Sequence, residues 1–126
     1  MSQSYVVEGA QLECSFGSAP SNLQIPFPRY SSIDGKKTAT IDDYQPNQNI
    51  MPFGMCSSRS NPEVARATAA NKGRLTPQPC KPLTTSPWMR GKSDVTVEGT
   101  PCLLNVSTLR CQWCGVIRVS DDGQQE

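Results

Sequence analysis

Six cysteines and no histidine set the chemistry open to this chain. Thiolates can ligate metals, exchange disulfides or attack electrophiles. Without an imidazole there is no histidine acid or base, no Ser-His or Cys-His nucleophile, and no zinc site that uses a ring nitrogen. Cys14, Cys56, Cys80 and Cys111 lie far apart, and only Cys111 and Cys114 form a Cys-x-x-Cys. These are not the local knuckles of a zinc finger or ribbon, and the plainest reading is that most of the thiols are small buried hydrophobes. A second reading is a thiol oxidoreductase working through Cys111 and Cys114, although the βαβ context of a thioredoxin-type motif is missing. A third is a metal site.

A repeat favours the metal. Leu109-Arg110-Cys111-Gln112-Trp113 echoes Leu12-Glu13-Cys14-Ser15-Phe16, each copy reading Leu, Cys and an aromatic at alternate positions. Val97-Glu98-Gly99 precedes one and Val7-Glu8-Gly9 the other, at unequal distances. Two unequal copies point to internal pseudo-symmetry in one small domain. If they pair, Cys14 and Cys111 come together, and the excursion between Cys56 and Cys80 can return both of its thiols to the same point. Four thiolates complete a tetrahedral structural site that is closed to substrate and therefore not catalytic.

The elements that must position these sulfurs are short. A chain of 126 residues implies one domain, residues 1–126. With 36% hydrophobic residues, 11 Pro and 9 Gly, it favours turns and short strands over long helices. A net charge of +1, with no Lys/Arg run longer than the pair Lys36-Lys37, leaves no nucleic-acid footprint. No charged, apolar leader and no apolar run of ~20 residues is visible, so the expected location is the cytoplasm, where thiols stay reduced.

Along the chain, Tyr5–Cys14 reads as strand, tight turn and strand, followed by a loop over 15–22. Leu23–Tyr30 reads as an edge strand, limited by Pro26 and Pro28. Asp34-Gly35 signals a turn across which Lys37–Ile41 pairs back. The irregular 42–52 stretch is long for a loop and reads as binding surface, with Asp42-Asp43 as a solvated turn. One helix is expected at about residues 62–71, capped by Asn61, opened by Pro62 and Glu63, and closed by Gly73 at C′. Its alanines read as a flat packing face. The proline-rich 76–87 stretch should be stiff and extended. Asp94–Val97, Leu103–Val106 and Gly115–Val119 read as closing strands, and 121–126 as a flexible tail. Trp88 and Trp113 read as packing side chains.

Taken in order, Val7-x-Gly9-Ala10-x-Leu12-x-Cys14-Ser15-Phe16-Gly17, Asn49-Ile50-x-Pro52-Phe53-Gly54-Met55-Cys56, Asn61-Pro62, Thr68-Ala69-Ala70, Leu75-Thr76-Pro77-x-Pro79-Cys80-x-Pro82, Trp88 and Leu109-x-Cys111-x-Trp113-x-Gly115-x-Ile117 resemble the four-cysteine PAAR-like family over about residues 6–124. The resemblance implies a mainly β, small cone-shaped domain with one short α-helix. It implies a non-enzymatic spike tip of a contractile injection machine of the type VI secretion kind, with a single tip capping a trimeric VgrG-type spike protein. By the same resemblance Cys14, Cys56, Cys80 and Cys111 hold a structural Zn2+ at the apex, iron being the other metal that thiolates suit. Cys102 and Cys114 fall outside the pattern, Cys114 standing where the family usually has Gly. The implied life is cytoplasmic assembly, export on firing, transient contact with a target membrane and carriage of a separately bound effector. The alternative functions are the Cys111/Cys114 oxidoreductase and a free-standing zinc-dependent cytoplasmic adaptor.

Overall fold

The computed structural model describes residues 3–26, 32–33, 35–97, 99–113 and 115–124. The domain is mainly β with a single short helix among the described residues. Its central sheet has the order β2-β1-β10-β9, built from β1 (Gln11–Cys14), β2 (Ser21–Asn22), β9 (Thr108–Arg110) and β10 (Val116–Asp121). Three two-stranded pieces surround it: β3 (Ser32–Ile33) with β4 (Lys36–Lys37), β5 (Met55–Cys56) with β6 (Gln78–Pro79), and β7 (Lys92–Val97) with β8 (Thr100–Cys102).

The two terminal repeats meet, but not each other. β1 and β9 both run antiparallel to β10 and flank it: Cys14 lies opposite Ile117, and Ile117 lies opposite Leu109. Each copy sends its leucine into the core, Leu12 and Leu109 both being fully buried. Alternation then leaves the cysteines at the strand ends, on either side of β10. The glycines that end the Val-Glu-Gly echoes, Gly9 and Gly99, take φ values of 87° and 85°, a region open to glycine, and Val97 closes β7.

Around this sheet the core gathers Val6, Leu12, Leu23, Ile50, Phe53, Leu103 and Ile117, with Trp88 beside them. Helix α1 spans Pro62–Ala70. Asn61 caps it as expected, its side-chain oxygen accepting from the Glu63 amide at 3.0 Å. At the C-terminal end Lys72 (φ 55°) stands at C′ and Gly73 (φ 83°) follows it, both in the left-handed region, and the Gly73 amide reaches back to the Thr68 carbonyl at 2.9 Å. That is the Schellman pairing with glycine one place later. Only Val64 and Thr68 are buried on α1, so its alanines form an exposed surface rather than a packing face.

Other expectations are corrected by local polar contacts. The edge strand expected at Leu23–Tyr30 is displaced: β2 is Ser21–Asn22, inside the stretch read as loop, and residues 27–31 lie outside the described set. Leu103–Val106 is no strand, because the Ser107 hydroxyl accepts from the Leu104 amide at 3.0 Å and turns the chain; the strand there is β8, three residues earlier. Asp43 is buried, with a carboxylate oxygen 2.8 Å from the Thr40 amide. Its carbonyl accepts from the Trp88 indole at 3.0 Å, so this acid organises a turn from inside. The 42–52 loop folds on itself: Asn49 and Ile50 point inward, and the Asn49 side chain bridges the Gln45 amide and the Gln24 carbonyl. Gly35 (φ 81°) lies between β3 and β4 where a turn was expected, but the strand expected at Lys37–Ile41 is reduced to Lys36–Lys37, and Asp34 lies outside the described residues. The C-terminal stretch is tied in, the Asp122 carbonyl accepting from the Val7 amide at 3.0 Å and the Gln124 side chain donating to the Tyr5 carbonyl at 2.6 Å.

Candidate metal centre

Four short segments carry Cys14, Cys56, Cys80 and Cys111, and backbone hydrogen bonds lace them together. The proline-rich stretch enters β6, which pairs with β5 so that Cys56 lies opposite Gln78. The Cys80 amide donates to the Gly54 carbonyl at 2.8 Å. Gly17 bridges to Cys56, and the Ser57 amide donates to the Phe16 carbonyl at 3.0 Å. Beyond β9, the Gln112 amide donates to the Leu83 carbonyl at 2.8 Å and the Cys111 amide to the Gly115 carbonyl at 3.0 Å. The Trp113 indole reaches the Lys81 carbonyl at 3.0 Å, and the Ser58 hydroxyl donates to the Trp113 carbonyl.

The result is one small cavity, about 10 Å³, lined by all four of these cysteines and walled by Phe53, Trp113 and Ile117. That is room for one water-sized guest. Cys56, Cys80 and Cys111 are buried and Cys14 partly so, and all four carry free thiols. Burial pushes the Cys14 and Cys80 thiols up from the ordinary 9.0. Mutual repulsion among the quartet adds to it, Cys111 and Cys56 acting on Cys14, and Cys56, Cys14 and Cys111 acting on Cys80. Opposing this, backbone amides point at sulfur: Phe16 and Gly17 toward Cys14, and Phe53 toward Cys80. Such donors favour a thiolate and are the usual outer-shell support of a metal–sulfur bond.

Among the described residues no three His, Cys, Asp or Glu side chains are already grouped to hold an ion. Four neutral thiols have no reason to close inward; a cation at the centre supplies one. The donor set fits a thiophilic metal: four sulfurs around an atom-sized cavity, amide donors behind two of them, and apolar walls. Cys14, Cys56, Cys80 and Cys111 would hold it, and what it would supply is structural cross-linking of the four segments.

Two glycines keep the space clear. A Cβ on Gly115 would lie 2.8 Å from the Cys14 sulfur, and one on Gly17 would lie 2.5 Å from the Phe53 Cβ and 2.9 Å from its carbonyl oxygen. Gly115→Ala should leave the fold intact, since a cysteine sulfur can swing away, but should displace one ligand. The expected result is a ~10–100-fold loss of metal affinity in a chelator competition titration, with unchanged circular dichroism.

The two forms should lose stability at opposite ends of the pH range. In the metal-free protein the folded thiols of Cys14 and Cys80 titrate above the unfolded value of 9.0. Their contribution is complete below that pH and is lost as pH rises through the folded values. In the metal-loaded protein protons compete with the ion, so stability falls as pH drops. Thermal melts across pH 5–10 (roughly the range between carboxylate and lysine titration) should therefore fall towards pH 5 for the metal-loaded protein, while these thiols leave the metal-free protein level until it falls above 9.0.

The cavity assembles Cys14 and Cys111 of the repeat with Cys56 and Cys80 from the two ends of the excursion, the set that the resemblance implies. Cys102 is buried elsewhere, with Cys102 bridged to Thr40, and Cys114 lies outside the described residues. Sequence reasoning did not assign the amides of Phe16, Gly17 and Phe53, nor the wall formed by Trp113. The one available signal was Gly17 placed three residues after Cys14, a spacing that turns the backbone back onto the sulfur.

No match was found among curated proteins or solved structures. Residues 6–124 match the family described as "Domain of unknown function (DUF4280)", a span that holds all four cavity cysteines and every named strand and helix. The chain belongs to the DUF4280 family.

Proposed function

We propose that this is a non-enzymatic structural domain whose cysteine end is pinned by one metal ion, expected to be zinc, and that it serves as the PAAR-like tip of a contractile injection spike. The convergence of Cys14, Cys56, Cys80 and Cys111 on one cavity carries the first half of this reading. The ordered motifs from Val7 to Ile117 support the second. At such an end few side chains can be buried, because β5 and β6 are only two residues long, and pairs this short are not stable alone. A tetrathiolate ion cross-links there what burial cannot.

In this reading a single tip caps a trimeric VgrG-type spike, is assembled in the cytoplasm and leaves the cell on firing, passing through a target membrane with any effector bound separately. The test is co-purification with a VgrG-type trimer. The reading predicts one chain per trimer by native mass spectrometry and a density cap at the spike end in electron micrographs. Absence of a complex, or a one-to-one ratio of chains, would contradict it. A Cys114→Gly variant that retains capping and metal sets aside the oxidoreductase alternative.

A further inference from the structure

We propose that the groove between α1 and β6 docks an extended acidic peptide segment of a partner protein. Of the chain's 12 Lys and Arg and 11 Asp and Glu, five cations (Arg59, Arg66, Lys72, Arg74, Lys81) but only one acid, Glu63, fall within 57–82, leaving the rest of the chain net negative. All five cations are exposed. Lys81 pairs with Glu63 at 2.7 Å; among the described residues Arg59, Arg66, Lys72 and Arg74 have no acidic partner, so their charge projects into solvent. The positive surface is thus the excursion itself, set on a domain of opposite sign.

The excursion also has a concave feature. An open groove of about 570 Å³ runs along α1 and β6, lined by Ala67, Ala70, Pro79, Gln78, Arg66 and the Glu63–Lys81 ion pair, which leaves Arg66 as its unpaired cation among the described residues. Small side chains in the lining let a backbone approach closely. The nine residues of α1 give a length of ~13 Å, which spans about four residues of extended peptide. A carboxylate of such a segment would pair with Arg66.

Chemistry separates this occupant from the other two polyanions. Residues 57–82 contain no Phe, Tyr or Trp, so the excursion has neither the stacking platform of a single-strand nucleic-acid site nor the aromatic anchors of a membrane interface. A flat bilayer also cannot enter a groove. The proposal concerns a surface other than the cysteine cavity and stands apart from the spike reading.

The test is fluorescence anisotropy on the metal-replete full chain. The probes are a fluorescein-labelled peptide of alternating glutamate and alanine, its glutamine counterpart, phosphatidylserine vesicles and an oligothymidine. The glutamate peptide should bind and the others should not, with affinity falling steeply between roughly 0.05 and 0.5 M salt. Arg66→Glu with Arg74→Glu should weaken binding about tenfold or more. Ala70→Trp, which adds no charge and fills the groove, should weaken it comparably. The proposal is overturned by no binding of the glutamate peptide, by preference for vesicles or oligonucleotide, by indifference to the charge variant, or by loss in the charge variant alone, which would mean diffuse attraction without a groove.

Discussion

Cys80→Ser is expected to abolish metal retention and to melt the 57–79 excursion while the central sheet survives. The magnitude follows from what each end of the molecule has to hold it. Structural zinc contributes apparent values of about 10–16 kcal/mol in small peptides, as much as the whole stability of a typical domain. The central sheet has fully buried Leu12, Leu109 and Ile117, with Val6, Leu23 and Leu103 buried in the same core, and can persist without the ion. The excursion has Val64 and Thr68 buried on α1 and the two-residue pair β5–β6 beneath it. A nine-residue helix is too short to stand alone in water. Hydrogen exchange should therefore show residues 57–79 losing protection first. Metal analysis should fall to background in the variant, against a single ion per chain in the wild type. An unchanged melting temperature and unchanged protection in Cys80→Ser would show that the thiols are mere packing.

The second large effect is expected at Phe53. It is fully buried, walls the cysteine cavity and belongs to the core. Its amide points at the Cys80 sulfur, while its carbonyl accepts from the Ala19 amide at 3.2 Å. Phe53→Ala removes the ring but keeps both backbone bonds, so it isolates the packing role. A buried Phe→Ala change costs about 3–5 kcal/mol, a large share of the total. Chemical denaturation should show that loss as a lower midpoint with little change in slope. Metal affinity should fall much less than in Gly115→Ala, since the new void lies behind the sulfurs rather than among them. A loss below about 1 kcal/mol would mean that the cavity wall collapses without strain.

These two sites also show what could be read before any coordinates. Helix α1 was legible because its start is encoded locally, in Asn61, Pro62 and Glu63. Its end was legible only to within one residue, because Lys72 takes the left-handed region as well as Gly73, a conformation lysine adopts only when the surrounding bonds impose it. The partnership of Cys14 with Cys111 was legible as a repeat, yet the register was not. The two copies flank β10 instead of pairing, and a repeat does not say which strand comes between. Asp43 and Ser107 misled for a common reason: each polar side chain bonds the backbone nearby and reshapes it from inside the fold. The amide donors of Phe16, Gly17 and Phe53 left no trace in side-chain identity, because backbone groups are the same at every position.

The central claim is that four distant sulfurs close on one ion. X-ray absorption spectroscopy on metal-replete protein, purified without added metal, addresses it most directly. The account predicts a first shell of four sulfurs near 2.3 Å around zinc, reduced to three in Cys14→Ser, Cys56→Ser and Cys111→Ser alike where metal is retained. A shell containing nitrogen or oxygen in the wild type, or a folded protein with no stoichiometric metal and with its thiols oxidised to disulfides, would contradict it.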